Sequence, residues 1–151
     1  MSAGLRDLLA PEQAICDRLL ATVSGLKAAK RIADIADAQT TAGNQSPAAF
    51  VAYDGMQPGA TRAENRVQIV TVRWMVILAV RNARGQQAAT GVRDEASPIL
   101  SAMLAALVGW RPSDEFYEMG ALAGGGQTFS SGFGYFWQPF GATTAIEGIN
   151  P

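Results

Sequence analysis

VQIVTVRWMVILAV, residues 67–80, decides the fold. From Val70 onward the even positions, Val70, Val72, Trp74, Val76, Leu78 and Val80, are all apolar. The odd positions are mixed: Val67, Ile69, Thr71, Arg73, Met75, Ile77 and Ala79. A period of two carried by β-branched and aromatic residues is the pattern of a β-strand. One face is buried, and the other is partly covered and interrupted by Arg73. At about 3.3 Å per residue the strand spans roughly 46 Å, more than twice the length of a usual strand of about five to six residues. Such a strand crosses a whole sheet and reaches beyond the core of one small domain. A membrane-spanning helix fits less well, because it needs roughly 20 apolar residues, and Val, Ile and Thr crowd a helix.

Outward from this strand, the polar segments DGMQ (residues 54–57) and PGATRAEN (residues 58–65) read as a turn followed by a loop. They are preceded by a second strand, AFVAY (residues 49–53), which Pro47 opens. Further upstream, Pro11 and Glu12 start a helix over residues 11–26, with Ile15, Leu19, Val23 and Leu26 on one stripe. Lys27, Lys30 and Arg31 complement the negative end of its dipole. RIADIADA (residues 31–38) fits a helix or a short strand, and TTAGNQS (residues 40–46) reads as a loop.

Downstream, NARG (residues 82–85) ends the central strand with turn residues. Residues 86–110 carry a helical stripe of Ala96, Leu100, Met103, Leu104 and Leu107, bent or divided at Pro98 and stopped at Gly109. Trp110 packs back on the core. Residues 116–119 read as a short strand and GALAGGG (residues 120–126) as a flexible loop. QTFSSGFGYFWQPFGATTAI (residues 127–146) is aromatic and β-like, with Phe129, Phe133, Tyr135 and Trp137 on one parity and Phe136 and Phe140 on the other. Its glycines predict a bulge or close packing, and Pro139 an edge strand or a kink. No repeat or linker divides residues 1–151, so one α+β domain is expected: a mainly antiparallel sheet with a long central strand, packed against two main helices.

Composition narrows the function. The hydrophobic content of 48% with 17% charged residues belongs to a folded globular chain. A net charge of −1 gives no bulk attraction to duplex DNA. The chain has 1 Cys and 0 His, which removes an internal disulfide, Ser-His-Asp and Cys-His catalysis, and His-ligated zinc or haem. No basic segment followed by a long apolar run opens the chain, so no signal peptide is expected.

The chemical motifs are weak. Gly124, Gly125 and Gly126 lack the following Lys of a phosphate loop and precede a β-like segment, so a hairpin loop is the better reading. Asp34 with Asp37, and Asp94 with Glu95, bring no partner that would tune them for acid–base work; the second pair reads as helix surface charge. Phe133, Tyr135, Phe136 and Trp137 have no interleaved cations, so they read as core or protein interface and not as a platform for bases. No catalytic, cofactor-binding or metal-binding set is expected. Arg62, Glu64, Arg66, Arg73 and Arg81 flank and interrupt the central strand. They are either a solvated strand face with its loops, or a subunit contact or the lining of a channel.

The order of helix, strands, long strand, helix and aromatic terminal strand, with the turn Leu107-Val108-Gly109-Trp110-Arg111-Pro112, Pro47-Ala48-Ala49-Phe50-Val51 and Tyr135-Phe136-Trp137, resembles the tail terminator (tail completion) proteins of long-tailed bacteriophages. The resemblance covers residues 15–146. It implies an α+β structural subunit, not an enzyme, that assembles in the host cytoplasm into a ring at the tail–neck region of the virion, usually a hexamer. Its partners would be further copies of itself, the tail tube protein and the head-side connector. Genome DNA would pass through the lumen without sequence-specific binding, and no membrane is involved. Arg62, Glu64, Arg66, Arg73 and Arg81 are then the expected subunit or tube contacts. Two other readings stay open: another neck or connector protein of the same particle, or a small α+β domain binding a ligand in a pocket lined by Trp137, Tyr135 and a carboxylate.

Overall fold

The computed structural model describes residues 7–41, 45–62, 64, 66–81, 89–130 and 132–149. Its elements run α1 (Pro11–Thr22), β1 (Ala28–Arg31), α2 (Ile35–Thr41), β2 (Ala48–Arg62), β3 (Val67–Arg81), α3 (Ala89–Leu107), β4 (Gly120–Ala121), β5 (Gly126–Ser130) and β6 (Phe133–Glu147). The strands form one 6-stranded sheet in the order β1-β2-β3-β6-β4, and β5 also pairs with β6. β1 runs parallel to β2, while all other pairings are antiparallel. The class is α+β with a mixed sheet. The mainly antiparallel expectation fits all but the β1 edge.

β3 is the axis of this sheet. It pairs with β2 on one side, and with β6 on the other along its whole length, from Val67↔Glu147 to Arg81↔Phe133. Its even face, Val70 to Val80, is buried throughout. There it packs with Ile15, Cys16 and Leu19 of α1 and with Ala96, Met103 and Leu107 of α3. The odd face is covered only at one end, where Ile77 and Ala79 join Phe50, Tyr135 and Ala38 of α2 in a second, smaller cluster. The alternation in residues 67–80 thus reports one face under two helices and another half-covered by a third.

Several boundaries differ from the sequence reading, each for a local reason. α1 ends at Thr22, not Leu26, because Val23 turns extended (φ −95, ψ 107). Residues 31–38 contain both readings in succession: β1 closes at Arg31 and α2 opens at Ile35, and α2 takes in Thr40 and Thr41 from the expected loop. Arg31 does not serve the end of α1. It reaches back to the start of that helix and binds Glu12 at 2.8 Å. Burial of Glu12 to 6% exposure is compensated by this partner. The expected turn at 82–85 and the helix start at 86–88 lie outside the described residues. α3 continues through Pro98, and its end carries Gly109 at φ 79, where the stop was expected.

The largest correction concerns residues 54–62, read as turn and loop but running on as β2. Two register shifts, between Tyr53 and Met56 and between Pro58 and Thr61, absorb the extra residues while the ladder to β3 continues. Gly55 at φ 97 makes the first shift accessible, since few other residues adopt that conformation. Residues 116–119 are not a strand. Phe116 and Met119 are nonetheless buried, held by Met119 N–H donating to Trp110 O and Gly109 N–H donating to Met119 O. The strand falls at Gly120–Ala121 instead, inside the expected flexible loop.

Residues 127–146 split into a hairpin, β5 and β6. The register Ser130↔Phe133 puts Phe129 opposite Gly134, against Phe136 and not with Phe133, Tyr135 and Trp137. Pro139 is not on an edge strand. It sits in the gap between the β5 pairing, which ends at Trp137, and the β4 pairing, which starts at Phe140, so its missing N–H breaks no ladder bond.

Among the described residues, two buried polar atoms lack a hydrogen-bond partner, Trp74 Nε1 and Tyr135 Oη. An unsatisfied buried hydroxyl costs about 1–3 kcal/mol. Tyr135→Phe should therefore raise stability by about 1 kcal/mol in urea denaturation. Trp74→Ala, which empties the main core, should lower it by about 3–5 kcal/mol.

Candidate assembly surface

The half of the sheet beyond Arg73 leaves the helices behind. From Tyr53 to Arg62 the residues of β2 are exposed or half-buried. β1 pairs only with Ala48–Val51, and the Ile32 N–H to Val51 O bond is the last described contact on that side of β2. On the far side of β6, β5 and β4 pair as far as Gly141, and Tyr117 N–H donates to Thr143 O. Among the described residues, no strand follows on either edge. Three strands therefore project side by side, stitched by Thr71 Oγ1 and Thr143 Oγ1 at 2.9 Å and by Gly148 N–H to Arg66 O at 2.6 Å.

Peptide groups along a strand alternate in direction. Val51 O and Thr143 O point outward, so the alternation carries Met56 and Pro58 outward on β2, and Ala145 and Glu147 outward on β6. Pro58 suits this position because its nitrogen faces away from β3 and has no N–H to lose. The result, among the described residues, is a sheet end with no further strand on either edge.

This end gathers part of the expected set. Arg62 is opposite Val67, Glu64 occupies the turn at φ 58, and Arg66 precedes β3; all are exposed. Arg73 sits further along. Its guanidinium is within 3.4 Å of Asp54 Oδ2 and 3.5 Å of Ala123 O, which ties β2 to the loop after β4. Arg81 lies at the opposite end of β3, with its guanidinium 5.5 Å from the centre of the Phe133 ring and its N–H on Ser46 Oγ. Glu147 was missed, because its position level with Arg62 follows from strand register and leaves no local signal.

The other motifs have structural roles. Asp37 N–H donates to Asp34 Oδ1 and Ala33 N–H to Asp37 Oδ2, a cap on α2. Asp94 and Glu95 are exposed on α3. Gly126 faces Trp137, where a Cβ would come within 2.7 Å of the indole. Tyr135 and Phe136 are core residues. An apolar groove of about 310 Å³ lies between α3 and the sheet, lined by Val76, Leu100, Met103, Leu104, Phe136 and Phe140 with Trp137 beside them. Tyr135 lies in the other cluster and no carboxylate lines the groove, so the ligand-site combination named above is not assembled there. Among the described residues, no group of His, Cys, Asp and Glu is placed to hold a metal. No helix there is long and apolar enough to cross a membrane.

Burial, then the neighbouring Asp17 charge, pushes the Cys16 thiol up to about 11. It is a core group and not a nucleophile. The unfolded thiol ionises near pH 9.0 and the folded one near 11. Its contribution to stability is therefore complete below the lower value and lost as pH rises through the upper. The urea midpoint of the wild type should fall more steeply than that of Cys16→Ala across this window. Parallel curves would contradict the assignment.

The profile of a protein family described as "Phage tail terminator protein" matches residues 5–151. A search of curated proteins finds no match. The family match bears out the resemblance carried by the Leu107–Pro112 turn and the element order. The chain belongs to the phage tail terminator family and is a structural component of the phage tail, a partner of other tail and head proteins.

Proposed function

We propose that this chain forms a closed homo-oligomeric ring, a hexamer, on the head-proximal end of the tail tube. There it stops tube polymerisation and presents a surface to the head-side connector in the neck, and genome DNA passes through its lumen without sequence-specific contact. The observation that carries this reading is the projecting end of β2, β3 and β6, open on both edges. Unpaired strand edges are templates for another chain, and isolated subunits blunt them. Here Pro58 and two bulges limit indiscriminate pairing on β2, yet both edges stay uncovered among the described residues. Head-to-tail contacts build open filaments unless the rotation closes. A closed ring uses both edges of every subunit and leaves none to propagate, which is what a terminator requires.

In this reading Arg62, Glu64 and Arg66, exposed at the tip, touch the next subunit or the tube. Arg73 lies further along the same face of β3 and holds the neighbouring loop in place through Asp54, while Arg81, at the opposite end of that strand, would make a separate contact. Added to polymerising tube protein, the wild-type chain should shorten the tubes seen by electron microscopy and remain at one end. Arg66→Glu should lose this effect while its thermal midpoint stays within about 2 °C, as for a surface change. Full capping by Arg66→Glu would remove that residue from the interface. Unaltered tube growth with the wild type would refute the capping function itself.

A further inference from the structure

Arg62 and Glu147 stand at the same height on the two outer strands of the projecting end. Each is the partner of Val67, one on β2 and the other on β6. Residues directly opposite one another share a face of the sheet, so both side chains lie on the face away from α1 and α3, on either side of Val67. Both are exposed, and the ion pairs among the described residues involve neither. Opposite charges at matching heights thus border the two open edges.

β2 and β6 are both antiparallel to β3, so they run in the same direction. A rotation about an axis alongside the strands, without rise, brings the β6 edge of one copy beside the β2 edge of the next. It preserves strand direction and height. The neighbouring strands are then parallel, and Glu147 of one copy meets Arg62 of the next. In this register the outward peptide groups of Ala145 and Glu147, level with Ile69 and Val67, face the stretch of β2 from Pro58 to Arg62, level with Val70 to Val67.

We propose that the subunit contact of the ring is this edge-to-edge junction, β6 of one copy against distal β2 of the next, with Glu147 and Arg62 as its charge pair. The assignment rests on the ring reading above and adds which edges meet, in which direction and at which register. Because the pair recurs at every junction, a reversal on one side places like charges together all round the ring, and exchange on both sides restores attraction.

Two sets of full-length variants test it. Arg62→Glu and Glu147→Arg should each weaken self-association by about tenfold per junction, and the double exchange should recover most of it. Light scattering, alone and with tube protein present, reads the assembly, and circular dichroism checks that each variant folds. In the second set, Arg62→Cys and Glu147→Cys chains are mixed and oxidised. In one chain the two positions are two strand spacings apart, roughly 9–10 Å, beyond the about 4.4–6.8 Å that a disulfide spans. A covalent dimer from the mixture, absent from either variant alone, therefore reports the proposed junction; native Cys16 is buried and does not compete. Rings of normal mass without that disulfide would overturn the junction and leave the ring reading intact. So would a disulfide formed with a tube-protein cysteine at the same edge in place of the mixed dimer. A wild-type chain that stays monomeric even on the tube would overturn the ring reading and the junction with it.

Discussion

The structure depends on the double pairing of β3. β6 pairs with it from Val67 to Arg81, and β2, a strand of the same length, pairs with its other side from Val67 to Ala79 across two bulges. Only about half of that length lies under α1, α3 and α2 on one face or the other. The remainder is held by ladder bonds, the Thr71–Thr143 contact, the turn of Gly148 onto Arg66 and the bonds of Glu115 and Tyr117 to Thr144 and Thr143. A sheet that outruns its helices exposes edges, and exposed edges call for a partner. The long strand, the thin layer over its distal half and membership of a tail-building family are connected by that physical fact.

The covered half of the sheet acts as the anchor. Its even face packs Trp74 against Phe116 with ring centres 6.1 Å apart, and Arg18 lies 5.7 Å from the centre of the Trp110 ring while donating to Ala106 O. These contacts bind α1, α3 and the turn after α3 to the sheet. Arg111 completes that turn by donating to Phe116 O and Asp114 O. The Gly109–Pro112 turn thereby serves the core.

Much of this was legible in the sequence, because the covered half obeys local rules. Val70 to Val80 alternate since one face meets helices, and Ala96, Met103 and Leu107 repeat at helical spacing since they meet that face. The projecting half breaks these rules. Pro58, Gly59, Thr61 and Arg62 read as loop because both their faces are near water and no burial pattern remains. They are strand only through register with β3, two bulges included. Arg62, Glu64 and Arg66 were visible as charges beside a strand too long for its domain. Glu147 was not, and neither was the attachment of Arg73 to Asp54, because both follow from pairing between distant segments. Pro139 misled for the same reason: its tolerance depends on a gap between β4 and β5 that only the folded sheet defines.

The central claim is that assembly proceeds through the open strand edges. Hydrogen exchange at single-residue resolution, comparing the free chain with the chain seated on tube ends, tests it most directly. The account predicts fast exchange at the outward amides of Ala145 and Glu147 in the free chain and strong protection on assembly, with amides under α1 and α3 unchanged. Protection that appears only on the helix face, with those amides still exchanging freely in the assembled particle, would contradict it.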